Sequence, residues 1–201
     1  VKIIGNGNPR VVIVDGDLSG LGKQVQAETD LVQQWLEYGE AGDQSFESLV
    51  QGQPPTEPSL TSNCGAEDPF FILYTGGTTG ESKGALHSHE SVWYGMQNQT
   101  VAERIVPSDV YMLTGQMFHI PIVLAMNYHA HGCPLVLMNF DAELALNLIQ
   151  EEKVSAFLGV TTMLNWMMAV PNFKSFNLDS LRNIQYGGGP MPSRIIREAL
   201  D

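Results

Sequence analysis

Cations are scarce in this sequence. Ten Lys and Arg stand against 22 Asp and Glu in 201 residues, for a formal net charge of -12. The imbalance is local: between Asp15 and Asp68 eleven acids (Asp15, Asp17, Glu28, Asp30, Glu37, Glu40, Asp43, Glu47, Glu57, Glu67 and Asp68) face Lys23 alone. An acidic surface repels nucleic-acid backbones and anionic lipid headgroups, so neither is an expected partner, and the stretch reads as a solvated face. Cysteine is nearly missing. Cys64 and Cys133 lie far apart with no ligand-like spacing, which favours a reduced, cytoplasmic chain with two ordinary thiols and leaves a single disulfide open. No apolar run approaches the length of a membrane span, and Val1-Lys2-Ile3-Ile4-Gly5 has neither a basic n-region nor a long h-region. Internal repeats and low-complexity tracts are missing too. The apolar share of 43% is ordinary, which excludes a disordered tail. The chain is long enough for one core, or one core and a fragment of another. It does not begin with Met, and Ser193 to Asp201 stops within an amphipathic helical pattern, so both ends are expected to be cut.

What is there alternates. Val11-Val12-Ile13-Val14, bounded by Pro9 and Asp15-Gly16-Asp17, predicts a buried strand. A helix is expected over residues 28–38, with Leu31, Trp35 and Leu36 on one side. Residues 51–68, with Pro54, Pro55 and Pro58, read as a connector. Phe70 to Tyr74 predicts a second buried strand. Helices follow over 90–104, 120–130, 161–170 and from Ser193, with strands over 110–113, 134–138, 154–158 and 183–186. Asp141 reads as the N-cap of a helix to Glu152. The implied fold is α/β, a mostly parallel sheet with helices on both faces, in which ligands sit beyond the carboxyl ends of strands. Residues 1–50 form a strand/helix unit and 69–201 an α/β unit.

Thr75-Gly76-Gly77-Thr78-Thr79-Gly80-Glu81-Ser82-Lys83-Gly84 follows directly on a strand. Glycines let successive amides from residue 75 to residue 83 converge on one anion. The hydroxyls of Thr75, Thr78, Thr79 and Ser82 add donors, and Lys83 adds a point charge. A polyphosphate is the natural guest, whereas a glycine-rich segment alone also reads as a surface turn between strand and helix. Ser82 precedes Lys83 and Gly84 follows it, so the Gly-Lys-Ser/Thr ending of a P-loop is not met. Adjacent Gly76 and Gly77 break the dinucleotide pattern Gly-x-Gly-x-x-Gly. Tyr74 to Gly84 instead resembles the signature loop of the adenylate-forming, AMP-binding superfamily, Tyr-Thr-Ser-Gly-Thr-Thr-Gly-x-Pro-Lys-Gly. Gly76 replaces its serine and Ser82 its proline.

Two further segments fall in the family's order. Gln116-Met117-Phe118-His119 is similar to its Pro-Leu-Phe-His segment, whose histidine borders the acyl pocket. On the residues alone, His119 reads as a partly buried core histidine. Tyr186-Gly187-Gly188-Gly189-Pro190-Met191-Pro192 resembles the segment that walls the adenine and the bound acyl group, where glycines let a flat ring lie on the backbone. Alone it is a tight turn with Pro192 at the first helical position. The tryptophan gate of some long-chain members corresponds to Val123 here. His129 and His131 read as helix-end residues rather than metal ligands, and His87 and His89 as capping or structural groups. Ile120 to Met126 reads as core, one side of which lines the acyl channel if the resemblance holds.

The resemblance, closest to the acyl-CoA synthetase branch, implies that the chain is an incomplete segment of one AMP-binding domain, part of the large N-terminal domain. It implies activation of a carboxylic acid, of the fatty-acid class, at the α-phosphate of ATP, giving acyl-adenylate and pyrophosphate, followed by thioester formation with CoA. Positioning and charge neutralisation dominate such chemistry. Mg2+ is implied as well, with Thr75 as its contact. The family's metal-binding glutamate, ribose-binding aspartate and lysine-bearing C-terminal lid domain have no counterpart here, so turnover is expected only of a full-length parent. Alternatives are an amino-acid or aryl-acid adenylation domain that loads a carrier protein, and a non-catalytic nucleotide-binding module.

Overall fold

The β-branched run at Val11 forms a strand that finds its partner across a helix. The computed structural model describes residues 2–39, 45–56, 63–76 and 82–200, and the chain divides into two compact units, Val1–His89 and Glu90–Asp201. In the first, a short helix α1 (Lys2–Gly7) precedes β1 (Val11–Asp15), α2 (Ser19–Ala27) and β2 (Gln34–Tyr38). β1 and β2 pair in parallel, from Val11 opposite Gln34 to Asp15 opposite Tyr38. α2 is the crossover such a pair requires.

The helix expected over 28–38 is therefore a strand in its second half, and the helix lies upstream. Gln33 and Gln34 donate their amides to the Arg10 carbonyl at 2.9 and 3.1 Å, which draws the segment alongside β1. Trp35 and Tyr38 favour the pleated surface, and Leu36 alone of the five is buried. α2 escaped notice because Gly20 and Gly22 weaken it by about 1 kcal/mol each relative to alanine. Gly22 is there for contact, since a Cβ would fall 2.9 Å from Val14 Cγ1. A third helix, α3 (Phe46–Gln51), is capped by Ser45, whose hydroxyl accepts from the Ser48 amide at 3.1 Å.

β3 (Pro69–Tyr74) and β4 (Gly84–Ser88) complete this unit as an antiparallel pair. β3 was expected to be buried, yet Phe70 and Ile72 are 39% and 36% exposed. A two-stranded ribbon has too little surface to enclose both faces.

The second unit is the parallel sheet that the sequence predicts. It contains α4 (His89–Glu103), β5 (Tyr111–Leu113), α5 (Ile120–Ala130), β6 (Leu135–Leu137), α6 (Ala142–Glu152), β7 (Ala156–Leu158), α7 (Thr161–Met168), β8 (Asn183–Gln185) and α8 (Ser193–Leu200), α4 starting at the last residue of the first unit. Strand order is β6-β5-β7-β8, all parallel. Successive side chains on a strand point to opposite faces, and two cores result. Met112 and Phe157 pack with Leu146 and Ile149 of α6, Leu164 and Met167 of α7 and Ile195 of α8. Tyr111, Leu113 and Ala156 pack on the other face with Ala125 and Tyr128 of α5 and with Cys133. Asp141 caps α6, accepting from the Leu144 amide at 2.8 Å.

At the amino edge of this sheet Asp109, 2% exposed, accepts from Arg182 Nε and Ser155 Oγ, each at 2.7 Å, and from the Val106 amide at 2.9 Å. Arg182 also donates to the carbonyls of Glu103 and Arg104, at the end of α4. The residues preceding β5, β7 and β8 are thereby tied together. Among the described residues no helix is long and apolar enough to cross a membrane.

Candidate active site

β3 and β4, which precede and follow the glycine-rich segment, are an antiparallel pair, so the segment lies between two strands and not between a strand and a helix. The ladder ends with Tyr74 opposite Gly84. Beyond it the Thr75 amide donates to the Lys83 carbonyl at 3.0 Å, and the Thr75 hydroxyl lies 3.4 Å from the same oxygen. Thr75, Gly76, Ser82 and Lys83 thus lie just beyond the Tyr74–Gly84 end of the ladder. Gly77, Thr78, Thr79 and Gly80 lie outside the described residues. One expectation is corrected here: the Thr75 amide closes the hairpin and does not join the anion donors. A Cβ on Gly84 would fall 2.7 Å from Ile72 Cγ2, so that glycine serves strand packing. Tyr74 donates its hydroxyl to Asn6 Oδ1 at 2.7 Å, fixing the hairpin to the end of α1.

In the second unit the parallel strands deliver their carboxyl ends to one edge. Thr114 to His119 follow β5, Gly159 and Val160 follow β7, and Tyr186 to Pro192 follow β8. Thr114 is buried and donates its hydroxyl to the Leu158 carbonyl, joining the ends of β5 and β7. A Cβ on Gly115 would come within 2.4 Å of Pro121 Cγ in the first turn of α5. The chain between them emerges with Phe118 78% exposed and His119 exposed in extended backbone at the N-cap of α5. His119 is not a core histidine.

His119 and Gly187, Gly188, Gly189 and Pro190 therefore share the carboxyl edge of one sheet, with β7 between their strands. Gly188 has φ of +75°, a conformation costly to other residues. Gly187 and Gly189 have no such φ, and a Cβ on any of the three would meet nothing within 4 Å. At those two positions neither backbone strain nor internal packing requires glycine, and the backbone face stays accessible to a flat ligand.

The AMP-binding enzyme family matches residues 1–201 of this chain. The chain belongs to that family. Among its relatives, the long-chain-fatty-acid–CoA ligase FadD13 of Mycobacterium tuberculosis is 30% identical over 200 residues, covering 97% of this chain and 38% of the relative. Indoleacetate–CoA ligase of Aromatoleum aromaticum is 30% identical over 169 residues, covering 83% and 31%. The inhibitor-bound crystal structure of the N-terminal domain of FACL13 from Mycobacterium tuberculosis superposes with a TM-score of 0.85 at 29% identity, over 99% of this chain and 50% of that one. The chain thus spans well under half the length of these curated relatives.

Within this AMP-binding chain, the support beneath the glycine segment was not anticipated. Tyr111 donates its hydroxyl to Gln185 Oε1 at 2.8 Å, passing over the small Ala156 on the intervening strand. Gln185 Nε2 donates to the Glu103 carboxylate, which also accepts from the Tyr128 hydroxyl at 2.8 Å. The two tyrosine rings stack at 4.4 Å. Burial first, then the neighbouring Tyr128 and Glu103, raise the Tyr111 phenol far above its ordinary value; burial and Glu103 do the same for Tyr128. Both phenols are therefore neutral donors. The apolar stretch of α5 hides one more polar group, Asn127, fully buried and donating to the Met96 carbonyl at 3.0 Å and to Gln99 Oε1 at 3.1 Å. His131 is occupied structurally, with Nδ1 2.8 Å from the Asn127 carbonyl oxygen. Cys64 and Cys133 are both free thiols.

Proposed function

We propose that the full-length protein carrying this chain is a cytoplasmic acid–CoA ligase that forms AMP. In this reading the chain is a segment of the large N-terminal domain. The carboxylic acid attacks the α-phosphate of ATP, giving acyl-adenylate and pyrophosphate, and the CoA thiol then displaces AMP. The observation that carries the reading is the accessible glycine backbone at residues 187–189, on the same sheet edge as His119, in a chain whose whole length matches the AMP-binding family. The names of the relatives, fatty-acid and aryl-acid CoA ligases, support the reaction class.

Each group has an assigned task. Gly187 to Pro190 wall the adenine and the bound acyl group, and His119 borders the acyl pocket. Gly76, Gly77, Thr78, Thr79, Gly80, Ser82 and Lys83 take the pyrophosphate end, where two anions must approach and charge neutralisation governs the rate. Among the described residues no three acidic, His or Cys side chains are grouped to hold an ion. The Thr75 hydroxyl at the hairpin mouth would contribute one oxygen to Mg2+, whose other ligands would be phosphate oxygens and groups beyond the described residues. The ion lowers the phosphate charge that Lys83 alone cannot offset.

The substrate is proposed to be a fatty acid. An aryl acid is the second reading, favoured by the similarity to indoleacetate–CoA ligase and by the 28% identity over 152 residues with feruloyl-CoA synthase of Amycolatopsis. Acid-dependent exchange of labelled pyrophosphate into ATP, run on the full-length protein with graded fatty acids and aryl acids, tests the proposal. Exchange without CoA and thioester with it are expected, and no exchange with any acid would leave only a nucleotide-binding module.

A further inference from the structure

Thr161 stands at the start of α7, on a different strand connection from the glycine segment, yet its hydroxyl donates to the Pro190 carbonyl at 2.9 Å and lies 3.4 Å from Met191 Sδ. At the other end of the segment Gln185 is fixed three ways. Its carbonyl accepts from the Gly159 amide at 2.8 Å, and its side chain is held between Tyr111 and Glu103. Residues 186–189 therefore span two anchored points with no side-chain anchor of their own beyond Tyr186, which is 57% exposed.

Glycine loses more conformational freedom on ordering than any other residue. A run of three would have to be ordered by the ligand itself unless the protein orders it first, and a preformed segment spares that cost on binding. The Gln185 end is built into the sheet. The Pro190 end lies past the strand, and Thr161 supplies its side-chain bond.

We propose that Thr161 is a positioning residue that holds the adenine-wall segment in its nucleotide-ready shape. It touches no reacting atom and acts through the Pro190 carbonyl. The inference rests on the assignment of residues 187–190 to the adenine, and deepens it.

The test uses the full-length protein with Thr161→Val, which keeps the shape and removes the donor, and Thr161→Ser, which keeps the donor. AMP affinity is measured by calorimetry, the melting temperature serves as a fold control, and KM for ATP comes from pyrophosphate exchange. Loss of one neutral hydrogen bond predicts AMP binding roughly three- to tenfold weaker in the valine variant. KM for ATP should rise by the same factor, with the serine variant close to wild type. The inference is overturned if the valine variant binds AMP as wild type does, or if serine fails to rescue. Wild type that binds AMP but exchanges with no acid sinks the ligase reading, while the comparison of AMP affinities still decides the role of Thr161. Wild type that does not bind AMP overturns both.

Discussion

Thr75 and Lys83 are hydrogen-bonded neighbours: the amide of the first donates to the carbonyl of the second across 3.0 Å. The residue assigned to the metal and the residue assigned to the phosphates thus flank one hairpin mouth. The backbone of Lys83 is fixed, and its ammonium has no partner among the described residues.

Replacing Lys83 by alanine in the full-length protein should leave that backbone bond intact and remove the charge. Charge-assisted hydrogen bonds contribute about 1.5–3 kcal/mol, so the exchange rate is expected to fall about tenfold or more, with little change in melting temperature. An undiminished rate would mean that the phosphates bind elsewhere.

Gly188→Ala forces a side chain into φ of +75°. The left-handed region costs an L-residue roughly 1–2 kcal/mol, and the strain falls on the adenine wall. AMP affinity, read by calorimetry, should drop several-fold, and more than for Gly5→Ala, where a Cβ meets nothing within 4 Å.

Gly115→Ala places a methyl 2.4 Å from the Pro121 ring. A proline in the first helical turn cannot swing aside, so the start of α5 must shift and carry His119 with it. Overpacking of this kind costs about 1–3 kcal/mol. Urea unfolding should register that cost, and KM for the acid should rise more than KM for ATP.

The sheet of the second unit was legible because each element carries its own period and punctuation, as at Asp141, which sets the start of α6 with a single side-chain bond. The first unit was less so. α2 is weakened by two glycines, β2 is a five-residue run (Gln34–Tyr38) with no β-branched residue, and β4 (Gly84-Ala85-Leu86-His87-Ser88) has none either. At the site, the glycine segments could be found because their chemistry is contiguous. Thr161 and Glu103 could not, since the first reaches Pro190 across 29 positions and the second reaches Gln185 across 82. Contacts of that span leave no local pattern to read. The pairing of the Thr75 amide is hidden from the sequence for a related reason: it depends on β4, which carries no strand pattern.

Asp109 gives a pH dependence of definite sign. Burial alone would raise its pKa, but hydrogen bonds from Arg182, the Val106 amide and Ser155, with the Arg182 charge, hold the carboxyl below its usual range. The unfolded chain then binds more protons, so this contribution is complete above the ordinary carboxylate value near 4 and is lost as pH falls through the folded value. Stability measured by urea should therefore decline on acidification, and less steeply in Asp109→Asn. Removing the partner instead, with Arg182→Ala, leaves a buried carboxylate unpaired and should cost about 3 kcal/mol at neutral pH.

That ionic knot binds the amino ends of β5, β7 and β8, while the groups assigned to adenine and acid stand at the opposite ends of the same strands. Side chains around the acid can therefore diverge toward new substrates without loosening the charged fastening that assembles the sheet. One such framework can support ligases of quite different selectivity.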